Sequence, residues 1–430
     1  DKDGNYLLDC VIHLIPGKYQ SYAVEVEGTN SSGNLGAAGS LKYQHKNLFN
    51  GAELFTFSTR LARENQVVLR GGSGESFKTI EFGSDVSVVF PKFFMPFRIE
   101  GFRQRYNPKT TIALAYNHQR RPDYTRTIFN ARLGYNWRSS RFSSHSLFPI
   151  DFNLVDIPAI SQSFLEYIEE NPFLRNSYEN HLIANINYNY TYNQQQLTQR
   201  NRDFWYFRYT AESAGNILDL MAPVWGSGGE EDYNTFLGIR YAQYFKTDFD
   251  IRFHNAFNRN TSLTYRLFAG VGLPYGNLNV LPFEKRYFSG GANSIRAWPV
   301  RAVGPGTFSD ETTRFYNQTA DIKLEANLEY RFPLFWLIEG ALFVDAGNIW
   351  GIKSDSSPEG GLFEWNKFYK QLAVGAGFGT RFDFSYFIFR LDTGFKIHDP
   401  AVTAEHNWIP FSRSYKWSDV AFNFAIGYPF

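Results

Sequence analysis

The sequence predicts an all-β chain, a transmembrane antiparallel β-barrel of about sixteen strands, and three observations carry that expectation. Segments of about ten residues in which apolar and polar side chains alternate recur along the whole chain, as they do where each strand has one face on lipid and the other on a watery lumen. Aromatic residues reach 18%, with 43 Phe and 27 Tyr, types that favour strands and membrane interfaces, while only two Met occur. No run of 18 or more apolar residues is present and the mean hydropathy is −0.36. Spanning helices are thereby excluded, but a barrel is not, because lumen-facing polar residues dilute its average.

Net charge and cysteine content narrow the class further. A formal charge of +1 provides no basic field for nucleic acid. Cys10 is the only cysteine, so the chain forms no internal disulfide and no thiolate metal cluster. The chain starts at Asp1 without a signal peptide, which suits a mature or truncated form of an exported protein.

Residues 1–17 read as the last strand of a separate domain, with Leu8, Cys10, Ile12 and Leu14 alternating against Asp9, Val11 and His13 until Pro16-Gly17 breaks the pattern. Residues 18–430 read as the barrel. Tyr22, Val24 and Val26 face lipid in the first strand, with Glu25 and Glu27 inward. The segments 33–46 and 53–63 supply the next two strands, joined by a short inner turn over 47–51. Phe129, Ala131, Leu133, Tyr135 and Trp137 alternate with Asn130, Arg132, Asn136 and Arg138; later, Ala184, Ile186, Tyr188, Tyr190 and Tyr192 alternate with a ladder of asparagines. Ser163 with Glu166 predicts a capping box ahead of a short helix over 164–170, ended near Pro172, in an outer loop. The remaining strands are expected over 241–254, 262–273, 318–332, 338–350, 371–384, 387–397 and 419–430. Long outer loops at 216–234, around Arg296, at 351–370 and at 399–418 alternate with short inner turns, the longer inner segment 91–109 excepted.

The stretch from Phe288 to Gly306, FSGGANSIRAWPVRAVGPG, reads as neither strand nor tight turn. Gly290 and Gly291 open backbone angles closed to other residues, and Pro299, Gly304, Pro305 and Gly306 punctuate the rest of the stretch, so a compact irregular loop is expected. It resembles the sixth outer loop of the BamA/TamA superfamily of outer-membrane assembly barrels, whose signature is Gly-Gly-x-x-Ser-(Val/Ile)-Arg-Gly-(Phe/Tyr). Gly290, Gly291, Ser294, Ile295 and Arg296 match it, whereas Ala297 replaces the last glycine and Trp298 the Phe/Tyr. The resemblance implies a loop folded back into the lumen, and it makes residues 1–17 the tail of a periplasmic POTRA module.

In GALFVDAGNIW, Phe343, Asp345 and Gly347 share one face, which places Asp345 in the lumen, and Phe-x-Asp-x-Gly is a second motif of the same superfamily. In IKLEANLEYRFPLF, Ile322, Leu324, Ala326, Leu328, Tyr330 and Phe332 face lipid, leaving Lys323, Glu325, Glu329 and Arg331 inside. A guanidinium inside a barrel needs carboxylates placed for forked hydrogen bonds, and Asp345 and Glu329 on neighbouring strands can supply them to Arg296. The alternative is an inert ion pair that merely holds a loop. Gly375, Gly377 and Gly379 share an inward face, with room for a loop tip or simply a strand bend.

The last strand presents Val420, Phe422, Phe424, Ile426, Tyr428 and Phe430 to one side and resembles the C-terminal signal of outer-membrane barrels. Barrel closure requires this strand to pair with the first, yet Gly427 and Pro429 weaken that seam, because proline has no N–H to donate. Enzymatic readings find little support: Ser73 lacks the second glycine of a nucleophile elbow, the histidines have no metal-ligand spacing, and His398-Asp399 is a lone rim pair. The expectation is a bacterial outer-membrane protein that uses no cofactor and no metal. By resemblance it inserts or translocates client outer-membrane proteins through a lateral seam, with the lipid bilayer and periplasmic or inner-membrane accessory proteins as partners. Two alternatives remain open, a two-partner-secretion transporter of the same superfamily and a porin or receptor without insertase activity.

Overall fold

A computed structural model of the chain describes residues 11, 17–31, 34–67, 76–94, 106–170, 178–195, 202–225, 233–258, 260–308, 318–354, 357–384, 386–403 and 405–430. The strand expected within 1–17, and Cys10 with it, falls outside the described residues apart from positions 11 and 17. Sixteen strands form one antiparallel sheet with the topology of a membrane barrel, each strand paired to its chain neighbours. They begin with β1 (Gln20–Ser31), β2 (Asn34–His45), β3 (Leu54–Val67), β4 (Ser76–Phe90) and β5 (Lys109–Arg120). Next come β6 (Tyr124–Arg138), β7 (Ser143–Ile160), β8 (His181–Asn193), β9 (Phe204–Ala214), β10 (Tyr244–Ala256) and β11 (Ser262–Pro274). The sheet ends with β12 (Ile322–Phe335), β13 (Ile338–Trp350), β14 (Ala373–Asp383), β15 (Ile388–His398) and β16 (Val420–Ile426).

Alternation decides which side chains meet lipid. Along β12, Glu325, Asn327, Glu329 and Arg331 are buried in the lumen while Ala326, Leu328 and Tyr330 stand outside. Outward aromatics pair across strands, as in Trp205 on Phe253 (4.4 Å between ring centroids) and Phe253 on Tyr265 (6.2 Å), contacts that each stabilise a ladder by roughly 0.2–1 kcal/mol. In the long inner segment, Phe93 sets its ring against Tyr135 and Trp137, and the Phe94 carbonyl accepts from the Tyr135 hydroxyl at 2.7 Å, so this part lies against the wall of β6.

Several boundaries differ from the sequence expectation, each for an identifiable reason. The strand expected from Tyr241 starts at Tyr244, because residues 241–243 are engaged elsewhere: Tyr241 bridges to Leu182, the Ala242 N–H donates to the Leu182 carbonyl at 2.7 Å, and the Gln243 side chain accepts from the Asn277 N–H. The strand expected from Gln318 starts at Ile322, since Ala320 bonds Tyr287 of the long loop. Helix α1 spans Gln162–Glu170, and its cap is Ser161 rather than Ser163: the Ser161 hydroxyl accepts the Phe164 N–H at 3.4 Å. A second helix, α2 (Asn216–Trp225), occupies the start of the outer loop expected at 216–234.

The largest difference is at the C-terminus. β16 stops at Ile426, and Gly427, at φ +85°, turns the chain while its N–H donates to the Ile388 carbonyl at 2.7 Å. Tyr428, Pro429 and Phe430 therefore leave the lipid face on which the alternation placed Tyr428 and Phe430. Tyr428 donates to Glu339 at 2.9 Å and stacks on the Arg331 guanidinium at 4.0 Å, and Phe430 lies 5.7 Å from the guanidinium of Arg296. In the sheet order β1 stands at one end and β16 at the other.

Candidate functional site

The long connection between β11 and β12 enters the lumen instead of spreading over the rim, and its tip is residues 289–303. Gly290 (φ +99°) and Gly291 (φ +93°) close its neck: a Cβ on Gly290 would sit 2.1 Å from the Pro299 carbonyl oxygen, and one on Gly291 2.3 Å from Val300. The Gly291 N–H donates to the Trp298 carbonyl at 2.8 Å, and the Gly290 N–H donates to the Ser294 hydroxyl at 3.1 Å. Ser294 in turn donates to Glu325 on β12, tying the neck to the wall. Ile295, Ala297 and Trp298 pack with Val303 and Ala373 in a small apolar core that shields the arginine between them from water.

Arg296 is fully buried and its fork is filled. Nε and Nη2 donate to Asp345 at 2.8 and 2.9 Å, Nη1 donates to Glu329, and the backbone N–H adds a bond to Asp345 at 3.1 Å. The guanidinium lies over the Phe343 ring at 3.6 Å, a cation–π contact in a site from which solvent is excluded. Burial alone would lower the Arg296 pKa, but Asp345 and Glu329 outweigh it and hold it above its ordinary value. The geometry arises from the pairing of β12 with β13, in which Glu329 opposes Phe343, Asn327 opposes Asp345 and Glu325 opposes Gly347. A Cβ on Gly347 would be 2.4 Å from the Leu324 carbonyl, so this close pairing needs a residue without one.

Sequence reasoning missed a second tier of this site. Asn327 bridges the Ser294 carbonyl (3.0 Å) and Asp345 (2.9 Å). Arg381 donates to Glu329 at 3.0 Å and to Asp392, and Arg331 donates to the other oxygen of Glu329 at 2.7 Å. Arg390 reaches Asn293 at 2.7 Å, and Asn423 of β16 donates to the Arg296 carbonyl at 2.8 Å, so the last strand touches the loop directly. A signal was present: Arg381 continues the inward face of Gly375, Gly377 and Gly379, and Arg390, Asp392 and Gly394 share one face of β15.

The glycines mark where the loop lies. A Cβ on Gly375 would be 2.6 Å from that of Ala297, and one on Gly394 2.7 Å from the Arg296 carbonyl oxygen. Gly377 instead makes way for Phe343, and Gly379 for Asp392 and Arg381. Gly394→Ala is thus expected to push the loop backbone off the wall at a cost of ~1–3 kcal/mol. Limited proteolysis within residues 289–303 should accelerate in that variant, whereas an unchanged cleavage rate would show that the contact is soft.

The other residues singled out from the sequence lie at the seam, from which Phe430 reaches to within 5.7 Å of the Arg296 guanidinium. Tyr22, Val24 and Val26 are 71%, 75% and 85% exposed on β1, and Phe422 and Phe424 are exposed on β16. Gly427 is the turn, Pro429 is buried, and Phe430 is half-buried on the lumen side. The tail joins the two groups, since it carries Phe430 from the seam to the arginine.

Fold and site together define an outer-membrane β-barrel whose lumen is occupied by a loop pinned through a buried arginine. The chain belongs to the Omp85 superfamily, whose domain matches residues 63–430. In fold it is similar to BamA from Haemophilus ducreyi lacking POTRA domains 1–3, with a TM-score of 0.60 at 13% identity, over 94% of this chain and 69% of that one. It also matches CdiB from Acinetobacter baumannii (TM-score 0.47, 11% identity, 95% of this chain and 59% of that one). CdiB from Escherichia coli gives a TM-score of 0.47 at 12% identity, over 96% of this chain and 63% of that one, so the chain spans about three-fifths of either CdiB. No curated protein matches by sequence.

Proposed function

We propose that this barrel inserts or translocates client outer-membrane proteins, and that the client enters at the seam between β1 and β16. The observation that carries the reading is the inequality of the two seam strands. β1 runs for 12 residues and β16 for only 7 before Gly427 takes the tail into the lumen, so much of the β1 edge has no counterpart on β16. An open edge in lipid leaves backbone N–H and C=O groups without partners, which favours the addition of an incoming strand. The C-terminal strand of a client would pair with β1 by β-augmentation, its main chain supplying affinity and its alternating aromatics the register. The loop anchored by Arg296 acts here as a fixed internal brace, and the work uses no cofactor and no covalent chemistry.

The variant motif Ile295-Arg296-Ala297-Trp298 supports a TamA-like branch, and residues 1–17 are read as the end of a POTRA module that receives clients from periplasmic or inner-membrane accessory proteins. The test is reconstitution of the full-length protein in vesicles with an unfolded client barrel. Faster acquisition of the protease-resistant, membrane-embedded client than in protein-free vesicles is the expected result. Release of a client into the far compartment would favour a two-partner-secretion transporter, and ion conductance without any effect on clients would favour a porin.

A further inference from the structure

Helix α2 leaves the sheet at Gly215, where φ is +75° and the N–H donates to the Ala184 carbonyl at 2.9 Å. Beside it β8 runs on outward to His181 and β7 to Ile160, so α2 starts below the top of the wall and stands against its flank. Asp219 is the only charged residue of its sequence NILDLMAPVW, and that carboxylate accepts from the Tyr241 hydroxyl at 2.9 Å and from Asn234 at 3.2 Å. Asn216 bonds Ser213 and Tyr275. The polar side of the helix is thus consumed by the barrel itself.

The opposite side is an aliphatic stripe. Ile217, Leu220, Met221 and Val224 recur at the spacing of one helical face, and Leu220 and Val224 are 81% and 79% exposed. Between α2 and the sheet runs a groove of about 180 Å³ walled by Pro149, Ile150, Phe152, Ala184, Ile186 and Ile217. It lies on the lipid side of the wall: the neighbours Asp151 and Asn185 point the other way, to Arg132 and Glu212 in the lumen, so Ile150 and Ile186 point out.

We propose that α2 is set into the outer leaflet, its Ile217–Leu220–Met221–Val224 stripe among the acyl chains, and that the groove behind it holds a segment of one lipid acyl chain. The groove is bordered by the exposed, lipid-facing Ile150 of β7 and Ile186 of β8. Neither the stripe nor the groove carries a Trp, Tyr or Arg of the kind that anchors protein interfaces, Phe152 being the one aromatic residue of the groove. An interfacial helix ordinarily needs a charged face to hold its depth, a task performed here by the Asp219 and Asn216 bonds to the barrel.

The test uses the full chain in phospholipid vesicles with Cys10→Ser as background. Nitroxide labels are placed one at a time through Leu220→Cys and Val224→Cys, with Leu267→Cys as the lipid-facing control and Glu405→Cys as the aqueous one. Collision with oxygen relative to a water-soluble nickel chelate should match the Leu267 label at both helix sites. A ratio like that at Glu405 overturns the proposal, and so does shielding from both reagents, which would mean that a protein partner or a second copy covers the stripe. For the groove, a fluorophore attached through Ile150→Cys should lose intensity when the acyl chains are brominated. Unchanged intensity in brominated vesicles overturns acyl-chain occupancy.

Discussion

Arg296→Ala should destabilise the barrel by ~3–5 kcal/mol, the effect of removing one partner from a buried charge network. Asp345 and Glu329 are both fully buried, and the substitution leaves the first without its forked partner and the second dependent on Arg331 and Arg381. The loop also loses its cation–π contact on Phe343 and the neighbour of Phe430. The measurement is the temperature at which the folded barrel loses its compact mobility in detergent, together with client insertion by the reconstituted protein. Arg296→Lys should recover little of either, because an ammonium cannot span both oxygens of Asp345 and reach Glu329 at once. Full recovery by lysine would reduce the site to a point charge, and wild-type behaviour of the alanine variant would leave the arginine without an anchoring role.

Locking the seam should reduce client insertion to the spontaneous rate of protein-free vesicles. Val24→Cys and Phe424→Cys, in a chain whose Cys10 has been replaced, place thiols on the outward faces of β1 and β16; where that pair does not form a bond, partners two residues further along either strand keep the same face. Reduction of the disulfide should restore insertion in the same sample, which separates a gate from a misfolded barrel. Insertion at equal rates with the bond closed would sink the seam as the route. The tail provides a second readout: when a client strand occupies the β1 edge, Asn423 and Phe430 are expected to part from Arg296, so a fluorophore near the C-terminus should report client addition and remain silent when the seam is locked.

Within the strands, the face of Glu329, Asp345 and Gly375 was legible in the sequence because period-two alternation is a property of adjacent residues, and it places all three in the lumen before any partner is known. The Gly290-Gly291 neck was legible for the same local reason, since both positions require backbone angles that glycine adopts freely. The helix over 164–170 was legible but its cap was not: the sequence reading placed it at Ser163, whereas the Ser161 hydroxyl accepts the Phe164 N–H.

Only the tertiary structure decided which groups meet across the lumen and at the chain's end. Asp392, Arg381 and Gly394 belong to the Arg296 site because the loop descends to the level of β14 and β15, a depth no local pattern encodes. Tyr428 and Phe430 continue the alternation of β16 and would face lipid on that ground alone. They turn inward because Gly427 breaks the strand and because Arg331, Glu339 and Arg296 offer partners in the lumen, for the two rings and the tyrosine hydroxyl, that hydrocarbon cannot.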